Sequence, residues 1–250
     1  MRINEIVRRV RIILYRNEEH DDMPDIEGMA DIDNLKADEL IRSLVAPAID
    51  KVFKIAPAWM LGAAVVEPAG EAVGTGADGG DDAQPSTAAV RWDNDADPYA
   101  SVAVLDASVL RLISVKLPGW LLPVMNFTSF DDALYAQYRS EYAGIRPTRR
   151  FPAVAVGPDF AGSGLRVEAY PKMVVGSGTG TPYVKMVKKP EFDSVDDESD
   201  VSIDSRCLDS VLYMIASLWY VSTGDKERAE MMEDEAMNMV NVTNKTEQGQ

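Results

Sequence analysis

The spacing of apolar residues changes twice along this 250-residue chain. Near the N-terminus, apolar residues recur every three or four positions, which is the period of one helix face. Short apolar runs separated by glycine and proline fill the middle, and helical spacing returns from Leu208 onward. This pattern predicts an α+β fold, with a helical bundle built from the N- and C-terminal helices and a central β-rich insertion.

Two helices are predicted in the N-terminal part. The first covers residues 1–16 and has a basic polar side made of Arg8, Arg9, Arg11 and Arg16. An acidic loop is predicted at 17–33. A second helix follows from Leu40 to Phe53, and Pro47 should kink it. We expect the arginines to pair with carboxylates of the same chain, although a membrane-surface or nucleic-acid role is conceivable for such a basic island.

Two further helices are predicted near the C-terminus, over 208–221 and 225–240. Gly224 separates them, and Asp225 is placed to cap the second helix. The polar residues 241–250 are predicted to form a disordered tail.

The insertion contains strand-like runs and turn-forming residues. Residues 67–89 are rich in small and acidic residues, which predicts a flexible acidic loop or a projecting hairpin tip. A helix is expected from Ser129 to Tyr142, opened by a capping box of Ser129 and Asp132 and ended by Gly144. Turns are expected at 118–120, 157–158, 162–164 and 176–178. The predicted strands are 100–104, 109–117, 153–156, 165–170, 173–175 and 183–187.

These elements define the expected domains. Residues 1–60 and 205–240 form the helical core, 61–204 form the β-rich insertion with its loop at 67–89, and 241–250 form the tail.

The charge of the chain limits its partners. Forty-one acidic and 25 basic residues give a formal net charge of −16. Such a surface repels phosphate, so sequence-specific DNA binding is not expected. The apolar runs are too short to span a bilayer and the start lacks a secretory signal, which predicts a protein that is cytoplasmic when made. The N-x-T glycosylation sequons at Asn126, Asn241 and Asn244 are then not expected to be used.

Motifs that could support catalysis lack their required context. Residues 74–79 match G-x-G-x-x-G, but proline and aspartate surround them where a strand and a helix are needed. The alternation of Asp93, Asp95 and Asp97 resembles the opening of a calcium loop but lacks its glycine and closing glutamate, so a polar turn is expected. Cys207 and His20 are the only cysteine and histidine, which is too few for the common zinc clusters. We expect no cofactor, no metal site and no enzymatic activity.

Several stretches together resemble a known family. They are Leu105–Val115 with its Arg-Leu pair, Lys116–Trp120, Tyr138–Tyr142, Arg150–Ala155 and Leu165–Tyr170, followed by two helices joined by Thr223-Gly224-Asp225. In order and spacing, residues 33–240 are similar to the head-to-tail connector (adaptor ring) proteins of tailed bacteriophages, of the crAss-like phage type. The acidic segment at 67–85 is a departure from that pattern.

The resemblance implies a virion structural protein with a helical core and a β insertion. It would form a ring, commonly a dodecamer, beneath the portal protein in the phage neck or tail, and would contact further tail or ring proteins. Genomic DNA would pass through without sequence-specific binding, no membrane would be involved, and the subunit would be in the host cytoplasm before assembly. The candidate subunit or partner contacts are Arg8, Arg9, Arg11, Arg16, Asn241, Asn244 and Lys245.

Two other classes of function remain open from the sequence. An acidic regulatory or DNA-mimic module would be a monomer or dimer that binds a basic protein. A Mg²⁺-dependent phosphodiesterase would use acidic clusters such as Asp196 and Asp197.

Overall fold

The computed structural model describes residues 1–16, 32–68, 70–73, 90–159, 162, 164–174, 180–190 and 200–247. The chain divides into two compact units. The first contains residues 1–64 and 189–250, and the second contains residues 65–188. Residues 61–64 and 189–204, assigned to the insertion by sequence analysis, therefore belong to the first unit. The mixed α+β class, with terminal helices and central strands, is confirmed.

The first unit is a bundle of helices. These are α1 (Ile3–Arg16), α2 (Ile32–Ile55), α4 (Ser205–Thr223) and α5 (Lys226–Glu247). Helix α4 contacts the other three and is buried along much of its length. Its apolar side chains pack on the buried faces of α1 and α2, as the three-and-four spacing predicts. Ser210 donates a hydrogen bond to the Ala236 carbonyl (2.8 Å), which ties α4 to α5.

The ends of these helices follow local chemistry. The Asp204 carboxylate accepts the Arg206 N–H (3.0 Å) and caps α4, while Gly224, with φ of 89°, closes it. Asp225 accepts the Arg228 N–H (3.1 Å), so the predicted cap of α5 is confirmed. Two short 3-10 turns at Ala58–Met60 and Gly62–Ala64 follow α2.

Two predictions about the first unit are wrong. Helix α2 begins at Ile32, inside the predicted loop 17–33, and Pro47 lies within it, as expected. Packing on α4 outweighs the hydrogen bond that proline removes. Helix α5 continues to Glu247, so residues 241–247 are helical and not a disordered tail. The rest of the predicted loop at 17–33, which contains His20, lies outside the described residues.

The second unit contains two sheets. The smaller has the order β1-β9-β5, all antiparallel. The larger has the order β2-β3-β4-β8-β7-β6, with β2–β3 and β6–β7 parallel. Helix α3 (Ala133–Tyr138) lies between β6 and β7 in sequence. The strands are β1 Val65–Val66, β2 Gly70–Val73, β3 Val90–Asp93, β4 Ser101–Leu105, β5 Val109–Lys116, β6 Thr128–Ser129, β7 Ala153–Pro158, β8 Leu165–Tyr170 and β9 Tyr183–Lys188.

One apolar core contains side chains of both sheets, including Trp92, Val115, Val167 and Met186. Because strand side chains alternate between faces, Glu168 and Tyr170 of β8 point to the other side from Val167 and Ala169. On that other side, a second cluster contains Ala155 and Tyr170, with Phe130, Tyr135 and Tyr138 packed against it.

Three predictions about the strands and loops of the insertion need correction. Residues 70–73 form β2, because they pair in parallel with β3; residues 69 and 74–89 lie outside the described part. Gly157 and Pro158 continue β7 and do not form a turn, because they pair with Arg166 and Leu165. Residues 173–174 are not a strand; the Met173 N–H donates to Ser101 Oγ (2.9 Å).

The helix predicted at Ser129–Tyr142 is shorter than expected. Asp132 caps α3 by accepting the Leu134 N–H (2.9 Å), and the helix ends at Tyr138. Ser129 belongs to β6 instead, so the predicted capping box is absent and Gly144 is not the terminator.

Candidate assembly surface

A buried polar network holds the α3 segment on the larger sheet. Glu168 is 1% exposed. One of its carboxylate oxygens accepts from the hydroxyls of Tyr135 (2.9 Å) and Tyr170 (2.6 Å), and the other accepts from Arg166 Nε (2.9 Å). Arg139 lies 3.7 Å from the same carboxylate. Burial raises the pKa of Tyr170, and the hydrogen bond to Glu168 raises it further, so the phenol stays protonated.

Asp97 extends this network into the preceding loop. One of its oxygens accepts the N–H groups of Tyr99 (2.8 Å) and Ala100 (3.0 Å), while the other pairs with Arg139 (2.8 Å). Asp93 likewise accepts the N–H groups of the two residues at 95 and 96. These are turn contacts within the chain, as expected for the aspartate alternation. Among the described residues, no cluster of three potential metal ligands is found.

The loop after β5 presents leucines to solvent between two fixed points. Trp120 is buried and its indole N–H donates to the Pro171 carbonyl (3.0 Å). Val124 exchanges two backbone hydrogen bonds with Val115 (2.9 and 2.8 Å). Between these anchors, Leu121 is 64% exposed and Leu122 is 63% exposed.

A second loop, residues 148–151, is hydrogen-bonded to the loop that carries the leucines. The Leu121 N–H donates to the Arg149 carbonyl (3.0 Å), and Phe151 closes a tight turn with Thr148 through hydrogen bonds of 3.1 and 3.2 Å. Phe151 is 70% exposed, and the Arg150 guanidinium lies 5.5 Å from its ring centroid. We call Leu121, Leu122, Phe151, Arg149 and Arg150 the leucine–arginine patch.

The patch has the composition of a protein contact surface. Contiguous exposed apolar side chains with polar residues at their edge are typical of protein interaction sites. Aromatic residues and arginine are enriched where proteins meet. The backbone hydrogen bonds on both loops lower the entropy that a partner would have to offset on binding.

The predicted basic island on α1 is only partly available. Arg9 pairs with Glu5 (2.9 Å) and Arg11 pairs with Asp38 (2.6 Å), as expected from pairing within the chain. Arg8 is exposed, and Arg16 is the last residue of the helix. The other predicted contacts, Asn241, Asn244 and Lys245, lie in the last part of α5.

Helix α5 carries an acidic exposed face. Met231 on this helix is 52% exposed. Glu227, Asp234 and Glu235 are exposed at the positions four before, three after and four after it. Residues at these spacings are neighbours on a helix surface. We call these four residues the methionine–acid face.

Cys207 is buried in α4, and burial raises the pKa of its thiol to about 11. A thiol in this state is a poor nucleophile at neutral pH. The glycine-rich motif at 74–79 and the aspartates at 196 and 197 lie outside the described residues. In the described part, no helix is long and apolar enough to cross a bilayer.

Sequence reasoning did not single out either surface. The signal for the patch was present as two leucines directly after a Pro-Gly-Trp turn and as an Arg-Arg-Phe triplet. Their proximity depends on the hydrogen bond between Leu121 and Arg149, which no local pattern predicts.

No model of a known protein family matches this chain, and a search of curated proteins finds no match.

Proposed function

We propose that this chain is a structural subunit of a ring in the neck or tail of a tailed phage, where it joins the portal protein to the tail. The observation that carries the proposal is the leucine–arginine patch. Its apolar side chains are exposed, and backbone hydrogen bonds fix the two loops that carry them. A surface of this kind suits a molecule that is completed by assembly with other subunits.

The net charge of −16 supports a channel role. DNA slides through a ring most easily when the channel wall has low affinity for phosphate. A wall that does not displace counterions from phosphate has such low affinity. The order of elements supports it as well, since terminal helices around a β-rich insertion are what the connector resemblance implies.

Mass measurement in solution tests the proposal. The full chain should form a closed ring, alone at high concentration or after mixing with the portal protein of the same phage. Light scattering gives the mass, and negative-stain images give the ring and its symmetry. We expect a multi-subunit ring with a central opening and no DNA retention at physiological salt.

A different result would favour the acidic binding module. A monomer or dimer that ignores the portal and binds a basic nucleic-acid-binding protein, in competition with DNA, would contradict the ring. Metal-dependent cleavage of a phosphodiester that is abolished by Asp196→Ala and Asp197→Ala would contradict both.

A further inference from the structure

We propose that the leucine–arginine patch of one copy docks on the methionine–acid face of α5 in a second copy. This inference rests on the proposed function and names the contact through which the subunits join. Each of these two exposed surfaces would then be the binding partner of the other, in a neighbouring copy.

The two surfaces match in chemistry. The patch offers Leu121, Leu122 and Phe151 with two arginines beside them. The face offers one apolar side chain, Met231, with three carboxylates around it. A flexible methionine adapts to the shape of leucine and aromatic side chains. Arginine guanidinium groups bind carboxylates in a bidentate manner at the rim of such a contact.

The distribution of charge in the molecule favours these two surfaces over others. The chain has two pairs of adjacent arginines, Arg8-Arg9 and Arg149-Arg150. In the first pair, Arg9 already pairs with Glu5, and the nearby Arg11 pairs with Asp38. Arg228, the nearest basic residue on α5, pairs with Asp225 and lies over the Tyr220 ring. The carboxylates at 227, 234 and 235 therefore face outward next to Met231.

The contact is heterologous, because two different surfaces meet. Each copy then has one patch and one face to offer, so the contact repeats from copy to copy and forms a closed ring when the rotation per subunit allows. A self-complementary surface would stop at a dimer.

A charge swap in the full chain tests this contact. Arg149→Glu with Arg150→Glu should raise the concentration needed for half-assembly by about tenfold or more, and so should Asp234→Arg with Glu235→Arg. Combining all four changes should restore assembly to within about threefold of the wild type, because opposite charges meet again. Lys54→Glu, a reversal at an exposed residue of α2, is the matched control and should have no effect.

Cysteine pairing gives a second readout that does not depend on folding differences. A mixture of Leu122→Cys protein and Met231→Cys protein should form a disulfide between copies under mild oxidation. Val221→Cys, at another exposed apolar position, should not pair with Leu122→Cys. The buried native Cys207 should remain unreacted.

The outcomes separate this inference from the proposed function. If the wild type assembles into a ring but the charge reversals have no effect and no disulfide forms, the ring stands and this contact is wrong. If the wild type stays monomeric with and without the portal, both are wrong. A disulfide within Met231→Cys protein alone would show a two-fold contact and would also overturn the inference.

Discussion

Glu168 is the side chain on which the α3 segment depends. Its buried carboxylate accepts hydrogen bonds from two tyrosines and one arginine, and it lies near a second arginine. A buried charge is tolerated only when its partners surround it, and each partner is in turn left unsatisfied when it is removed. The α3 segment is therefore held on the larger sheet by one buried polar residue.

Replacing Glu168 tests this dependence. Glu168→Ala should lower the free energy of unfolding by about 3–5 kcal/mol, because Arg166 and two tyrosine hydroxyls lose their acceptor and Arg139 loses an ion-pair partner. Glu168→Gln, which keeps the shape and one acceptor, should lose less. Urea unfolding followed by tyrosine and tryptophan fluorescence measures both. Glu141→Ala, at an exposed position of the same segment, should change stability by less than about 0.5 kcal/mol. Equal effects at 168 and 141 would contradict the proposed support.

Helix α4 begins at a capping residue that is also an ion-pair partner. Asp204 accepts the Arg206 N–H and pairs with its guanidinium (2.8 Å). The side-chain hydrogen bond from Arg206 lowers the pKa of Asp204 to about 2. Since the folded pKa lies below the ordinary value of 3.8, this carboxylate stabilises the fold above about pH 4, and its contribution is lost as the pH falls toward 2.

Two substitutions at Asp204 separate the cap from the charge. At neutral pH, the melting temperature should decrease from wild type to Asp204→Asn to Asp204→Ala, because asparagine still caps the helix but cannot pair with Arg206. As the pH falls toward 2, the wild type should approach Asp204→Asn, since both side chains are then neutral. Thermal unfolding by circular dichroism across this range measures the difference. A gap that stays constant with pH would mean that the ion pair contributes nothing.

The turn between α4 and α5 requires glycine for a backbone reason alone. Gly224 has a φ of 89°, and a Cβ there would meet no atom within 4 Å. Gly224→Ala should therefore cost about 1–2 kcal/mol, which is the strain of the left-handed conformation without any clash. Gly144→Ala is the matched control, because a Cβ there also meets nothing and its φ is not positive. Denaturant unfolding should find Gly144→Ala within about 0.5 kcal/mol of the wild type.

At the scale of the whole molecule, the chain enters and leaves the second unit at one place. Val65 pairs with Val187, and Val66 pairs with Met186, in an antiparallel ladder. The entry and exit points of residues 65–188 are therefore about 5 Å apart. Each unit also has its own buried apolar residues. This arrangement is typical of one domain inserted into another.

The insertion should be separable. We expect residues 65–188 to fold alone, and the chain in which a short Gly-Ser linker joins Ala64 to Lys189 to keep its helices. Far-ultraviolet circular dichroism should show a strand spectrum for the first protein and a helical spectrum for the second, and both should unfold cooperatively. If either piece is unfolded while the full chain is folded, the two units depend on each other.

The sequence by itself determined the features that arise from neighbouring residues. The helix faces, the caps at Asp225 and Gly224, and strands such as Leu165–Tyr170 follow from spacing, turn chemistry and backbone conformation within a few positions. The excess of acidic residues also needed no structure, and it alone argues against phosphate binding.

Only the tertiary structure decided the features that depend on distant residues. Residues 70–73 became a strand because β3 offered an unpaired edge, and the polar 241–247 segment became the continuation of α5. The leucine–arginine patch exists because one backbone hydrogen bond joins Leu121 to Arg149. Such contacts depend on the folded path of the chain, because loop closure and burial select them after local preferences have been satisfied.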